Sequence, residues 1–413
     1  MPYDIDNDIE VDSDSSDQFA GFAKETTLEL VEADDGRLLL RDAEQDEAPL
    51  MTIDFSEKLL SHMPGLSRVY ISSSGSEANE KAFKMVRQIS QLKHGGKKYK
   101  IIYRDRDYHG TTISTLSACG QEERREQYGP FTPGFVEFPA CLAYRSPYPE
   151  GTKNLGEKFA RELEAVVLKE GPETVGAVIL EPITAGGGII VPPEGYYETI
   201  SEICKKYGIL IIMDEVVCGL GRTGKWFGYQ HFNIQPDIVT MAKGVASAYM
   251  PISCTVTTEE VFAALQDTTD KLSYFRDIST FGGCLAAPAA ALENIKIIEE
   301  EKLLDNVVAM GDHLQQGLQK LLSHSKVGDV RGKGLLQGIE FVEDKVSKKP
   351  LEEEKVIAVC GAMAKRGVLV GRTNRSFVGR NNIINVAPAY IVTKDQIDTI
   401  LKALGESIAE VLG

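Results

Sequence analysis

The seven cysteines of this chain form no C-x-x-C pair, and its six histidines (62, 94, 109, 231, 313 and 324) show no zinc-ligand spacing. The usual sequence marks of a structural metal site or a thiol redox centre are therefore missing. An odd number of scattered thiols suits a reducing compartment, and a cytoplasmic location is expected. Positive charge is also scarce: 45 Lys and Arg stand against 61 Asp and Glu, for a net charge of −16 and a pI near 5.0. That balance argues against nucleic acid or an anionic membrane as partner, and an anionic ligand would need a local basic cluster. No apolar run approaches membrane-spanning length and no signal peptide opens the chain, so a soluble protein is expected. Internal repeats and low-complexity linkers are absent as well.

What is present is length and alternation. At 413 residues, 43% of them hydrophobic, the chain exceeds one ordinary domain and can bury a sizeable core. The stretch Met1–Ala23 carries seven acidic residues between Asp4 and Asp17 and reads as a solvated tail. Thr27–Arg41 alternates loosely and predicts a hairpin turning at Asp34-Asp35-Gly36. From about Asp54, short apolar runs at Val69–Ile71, Lys100–Tyr103, Val175–Leu180, Ile209–Met213 and Ile238–Met241 alternate with helical stretches. This pattern predicts an α/β domain, a large mostly parallel sheet with helices on both faces, over residues 54–285. The remainder, 286–413, predicts a smaller α+β domain. It comprises a helical run Ala286–Leu322, strands at Gly334–Glu340, Val368–Gly371 and Ile383–Val386, and a last helix Lys394–Val411.

Chemistry collects at the strand ends. Asp214 ends one apolar strand and Lys243 closes another, 29 residues on, which leaves room for one crossover between them. A charge ending an apolar run must be paired or hydrogen-bonded, and ligands of open α/β sheets gather at the carboxyl ends of the strands. Glu181 and Tyr108 occupy two more such ends. An amine and a carboxylate so placed suit pyridoxal 5'-phosphate (PLP), with Lys243 as its Schiff-base anchor and Asp214 keeping the ring nitrogen protonated. Ser74-Gly75-Ser76-Glu77 has capping-box spacing, and the helix N-terminus it opens could seat a phosphate or simply be well capped. Glu181 could orient cofactor or substrate, or serve as a cap or structural ion pair. Gly219-Leu220-Gly221-Arg222-Thr223-Gly224 looks like a nucleotide loop, but no helix follows it, and that reading is rejected.

The motifs S-G-S-E-A-N-E (74–80), Y-H-G (108–110), E-P-I (181–183), D-E-V-V-C-G-L-G-R-T-G (214–224), the lysine strand (236–244) and S-T-F-G-G (279–283) together resemble the class III, omega-type aminotransferases of the fold-type I PLP enzymes. The resemblance covers roughly residues 55–413. It implies the PLP-dependent transferase fold, Lys243, Asp214 and Glu181 as catalytic residues, and Val216 and Tyr108 on the two ring faces. Gly75, Ser76 and His109 would also contact the cofactor, and Thr280 would reach the phosphate of a partner subunit in a homodimer or dimer of dimers. Arg375 would meet the substrate's acidic group. Within the family, the runs 85–90, 103–112, 126–135 and 274–284 resemble the branch that moves the amino group of taurine to pyruvate, giving sulfoacetaldehyde and L-alanine. Another omega-amino acid or a diamine stays open as donor. So does a cofactor-binding homologue with impaired turnover, because Arg41–Leu50 runs almost directly into the next helix where family members carry several dozen further residues. Smaller departures are Ser73, usually asparagine, and Ala248, where that branch has glycine.

Overall fold

The computed structural model describes residues 28–32, 38–42, 48–266, 274–374 and 380–413. The chain divides into two compact units, 1–54 and 55–413. In the first, strands β1 (Leu28–Glu32) and β2 (Leu38–Asp42) pair antiparallel with Leu28 opposite Asp42, the hairpin expected from the sequence. Its turn and the acidic tail lie outside the described residues. The helix α1 (Ala48–Ser61) follows, with Phe55 and Leu59 fully buried in the core of the second unit.

That unit is built on a seven-stranded sheet. Its strands are β3 (Arg68–Ser72), β4 (Lys100–Arg104), β5 (Phe135–Phe138), β6 (Val175–Leu180), β7 (Leu210–Asp214), β8 (Ile238–Met241) and β9 (Ser253–Thr257), in the order β3-β9-β8-β7-β6-β4-β5. Only β9 runs against its neighbours, so the sheet is mostly parallel, as expected. The apolar runs are continuous because both faces are covered. Ile102, Val178, Leu180, Met213 and Val239 point to one side, against the helices Leu155–Glu170 and Tyr196–Tyr207. The alternate residues Ile101, Ala177, Ile179, Ile212 and Ile238 point to the other, against α2 (Gly75–His94). Strands β5 and β9 are additions to the sequence reading. Residues 253–257 read Ser-Cys-Thr-Val-Thr and lack an apolar run, yet all five are buried, and Thr255 donates to the Ala78 carbonyl at 2.8 Å.

A second sheet, all antiparallel, joins β10 (Val327–Lys333), β11 (Leu336–Phe341), β12 (Gly371–Thr373) and β13 (Ile383–Val386) in the order β10-β11-β13-β12. The helices Leu303–Gln319, Glu353–Lys365 and Lys394–Leu412 share its core. Two expectations need correction here. The run Ala286–Leu322 is two helices, Ala286–Glu300 and Leu303–Gln319, broken at Lys302, whose φ is +52°. The strand expected at Val368–Gly371 begins at Gly371 instead. Val368 N–H is taken by the Met363 carbonyl at the end of the preceding helix, so the chain leaves that helix later than the apolar pattern suggests.

The C-terminal sheet meets the rest of the unit backbone to backbone. A Cβ on Gly311 would fall 2.6 Å from the Gly334 carbonyl carbon, and one on Gly334 would fall 2.6 Å from that of Thr223. Helix, hairpin turn and the loop Gly219–Gly224 thus stack with no side chain between them. Gly311→Ala is expected to wedge this stack open and destabilise the protein by about 1–3 kcal/mol, read as a lowered thermal midpoint. An unchanged midpoint would show that the contact relaxes freely.

Candidate active site

Strands β8, β7, β6 and β4 are consecutive and parallel, so Lys243, Asp214, Glu181 and Tyr108, which end or follow them, emerge at one sheet edge. The structure brings these four together with the N-terminus of α2. All line one cavity of about 480 Å³ with Gly75, Ser76, His109 and Val216. A second cavity of similar volume, about 480 Å³, continues on the other side of Lys243, walled by Arg222, Leu336, Arg372 and Tyr390. Arg124 and Lys243 border both.

Asp214 is the floor. It is 3% exposed, and each of its oxygens is held. Oδ2 accepts from Asn79 Nδ2 at 2.8 Å and lies 2.8 Å from His109 Nδ1, while Oδ1 accepts from Val216 N–H at 3.0 Å. A carboxylate can only accept, so the His109 proton is assigned to Nδ1. Asn79 is itself fixed, by Thr240 Oγ1 donating to its Oδ1 at 2.7 Å and by its own donation to the His109 carbonyl at 2.6 Å. Sequence reasoning passed over Asn79 and Thr240. The signal was there: Asn79 interrupts the apolar stripe Ala78, Ala82, Met85 of α2, where a buried amide must find partners.

The start of α2 also follows from its sequence. Ser74 caps the helix by accepting from Glu77 N–H, and the Glu77 carboxylate reaches back to Ser73 N–H at 2.7 Å. That is a capping box shifted by one residue, and Ser73 serves it through its backbone. Gly75 is needed because a Cβ there would press on Val216 at 3.0 Å. Ser76 Oγ accepts from Thr111 N–H at 3.0 Å, tying the helix start to the segment after β4.

Glu181 clamps two loops, accepting from Tyr108 N–H at 3.0 Å and Ala185 N–H at 3.1 Å. Burial, with Asp107 and Asp214 nearby, pushes its pKa well above the usual carboxylate range. Beneath it Arg104, fully buried, donates to Asp107, to the Glu181 carbonyl at 2.6 Å and to Thr184 at 3.1 Å. This guanidinium neutralises Asp107 and binds the ends of β4 and β6 together, a role the sequence reading did not assign.

Lys243 has φ +25°, an unusual backbone state for a lysine and one that clusters at functional sites. Ala248, where glycine was expected from the resemblance, has φ +67°, a conformation glycine adopts without strain. Thr280 is exposed and lines a different cavity, with Glu77, Lys81 and Asp277, not the one at Lys243. Arg375 lies outside the described residues. The loop Gly219–Gly224 opens no helix, in line with its rejection as a nucleotide loop, and contributes Gly219 and Arg222 to the second cavity.

That loop is held from behind by His231, whose Nε2 lies 3.1 Å from the Thr223 carbonyl. Burial, with Lys333 and Lys225 nearby, lowers the imidazole pKa to about 4. A depressed histidine pKa stabilises the fold above the unfolded value of about 6.5, and the contribution is lost as pH falls toward 4. It is worth about 1–2 kcal/mol after allowance for solvent screening. His231→Gln keeps a donor for Thr223, and its thermal midpoint should fall less between pH 6.5 and 4.5 than that of the parent protein. Parallel curves would assign the acid sensitivity elsewhere.

Comparison with known proteins agrees with this geometry. The family model "Aminotransferase class-III" matches residues 21–408. The chain is 63% identical over 362 residues to the taurine–pyruvate aminotransferase of Bilophila wadsworthia, covering 87% of this chain and 79% of that protein. Among solved structures, a Bacillus anthracis aminotransferase superposes with a TM-score of 0.84 at 41% identity, covering 87% of this chain and 80% of that one. The omega transaminase of Pseudomonas jessenii in complex with PMP gives 0.82 at 36% identity, with 87% and 80% covered. Family match, shared fold and the residues gathered at the sheet edge agree: the chain belongs to the class III aminotransferases, enzymes that use PLP.

Proposed function

We propose that this aminotransferase moves the amino group of taurine to pyruvate, giving sulfoacetaldehyde and L-alanine. The observation that supports this most is the 63% identity to a taurine–pyruvate aminotransferase over 87% of the chain. The site fits the family's cofactor. Among the described residues Asp214 Oδ1 accepts a single hydrogen bond, from Val216 N–H, and so has acceptor capacity left toward the cavity. Gly75 and Ser76 open a 20-residue helix whose first N–H groups and positive dipole end suit a phosphate.

When bound, PLP supplies an electron sink for the carbon that bears the amino group. The protein's residues do the rest. Lys243 Nζ would hold the cofactor and, as the basic group beside it, would take and return the proton at that carbon. Asp214 would hold a proton on the ring nitrogen, and His109 and Asn79 hold Asp214. Val216 and Tyr108, which both line the cavity, would hold the ring, and Glu181 keeps the Tyr108 segment against the Ala185 loop. We further infer a homodimer, or a dimer of dimers, in the cytoplasm. Thr280 and Ile278, the latter 98% exposed, share a cavity-lining surface away from Lys243. The described cysteines are all free thiols, and no described helix is long and apolar enough to cross a membrane.

A second reading, cofactor binding with impaired turnover, is favoured by one observation. Strand β2 ends at Asp42 and α1 begins at Ala48, where the resemblance implies several dozen further residues. Steady-state formation of alanine from pyruvate decides between them. With taurine as donor the PLP-loaded protein should make alanine, and Lys243→Ala should lower the rate by at least about 10³-fold. Absence of alanine with taurine, beside alanine formed from another omega-amine, would replace the donor. No turnover with any amine, by a protein that holds PLP, would favour the second reading.

A further inference from the structure

The acidic chain makes an anion seat beside Lys243 a specific requirement, and three arginines border the two cavities there. Two of them are already engaged. Arg222 Nη1 donates to the Leu335 and Pro388 carbonyls at 3.1 and 2.7 Å, and its guanidinium stacks on Tyr390. Arg372 is paired with Glu353.

Arg124 differs. It sits on the short helical turn Glu122–Arg125, where its neighbours turn to other tasks: Glu123 accepts from Asn381 and Arg125 donates to the Tyr103 hydroxyl. Its Nε is held by Gln121 Oε1 at 2.9 Å, and Gln121, fully buried, is in turn fixed by donating to the Arg106 carbonyl at 2.9 Å. The guanidinium lies 4.4 Å from the centre of the Tyr108 ring. These contacts fix its plane. Among the described residues neither terminal nitrogen has a carboxylate or carbonyl partner. A guanidinium anchored through Nε presents its remaining donors as a fork that matches the oxygens of a sulfonate or carboxylate.

We infer that Arg124 is the seat of the substrate's anionic tail, the sulfonate of the donor, and so a specificity-determining residue of this site. This rests on the aminotransferase reading above, with an acidic omega-amine as donor. The reacting amine meets Lys243 while the opposite end of the molecule meets Arg124, which borders both cavities as Lys243 does. Lysine at the position keeps the charge but loses the fork, and glutamine loses the charge.

The test separates binding from turnover. Ethanesulfonate, which lacks the amine, is titrated into the PLP-loaded protein by calorimetry, and the visible absorbance of the bound cofactor is recorded for each variant. The parent protein should bind it. Arg124→Gln should weaken binding on the order of 10–100-fold with the cofactor band unchanged, and Arg124→Lys should lie between. In taurine kinetics Arg124→Gln should raise KM far more than it lowers kcat. Equal binding by the parent and Arg124→Gln overturns the proposal, as does no binding by the parent. Loss on Arg372→Gln with none on Arg124→Gln also overturns it. Loss of the cofactor band in Arg124→Gln would mean that the residue merely supports Tyr108, again overturning it. Because ethanesulfonate binding needs no chemistry, it can succeed where taurine turnover fails, so the two readings fail separately.

Discussion

A carboxylate buried at the end of a central strand must find hydrogen-bond donors for its oxygens, and that demand at Asp214 organises this molecule. Three donors meet it, each from a different part of the chain: Val216 from the turn after β7, His109 from the segment after β4, and Asn79 from α2. Thr240 at β8 secures Asn79. One charge thus ties together two central strands, the helix that faces them and the loop that carries Tyr108. A sheet edge with these ties is a rigid platform, which a site needing close placement of an amine and a ring requires.

Around that platform the buried charges are arranged in order of need. Arg104 neutralises Asp107, so the deepest pair is balanced. Glu181, near two carboxylates and with its pKa pushed up, serves to hold two backbone N–H groups. Lys243 and Arg124 border both cavities, while Arg222 and Arg372, engaged with other groups, line the wall of one. An acidic protein therefore presents its ligands with two basic side chains at one place, and the net charge of −16 sharpens the contrast.

Much of this was legible in the sequence, for physical reasons. Val175–Leu180 and Ile238–Met241 are bounded as expected because a strand covered on both faces leaves no polar position to blur its ends. Asp214 and Lys243 stood out because a charge at the end of such a run is costly unless a partner or a ligand meets it. The misses have their own logic. Three of the five residues of β9 are serine or threonine, whose burial is decided by neighbours across the sheet rather than by their own polarity. The break at Lys302 falls inside an otherwise helical pattern, and the late start of β12 depends on a hydrogen bond that closes the preceding helix. Asn79 and Arg124 were invisible as site residues because their roles depend on partners 135 and 16 positions away, Asp214 and Tyr108.

At the centre stands Asp214, proposed to keep a proton on the ring nitrogen of the cofactor. The 15N chemical shift of that nitrogen, in protein loaded with 15N-labelled PLP, reports its protonation directly. The nitrogen should be protonated across the neutral pH range in the parent protein and unprotonated in Asp214→Asn. An unprotonated nitrogen in the parent, or the same shift in both proteins, would contradict this role for Asp214.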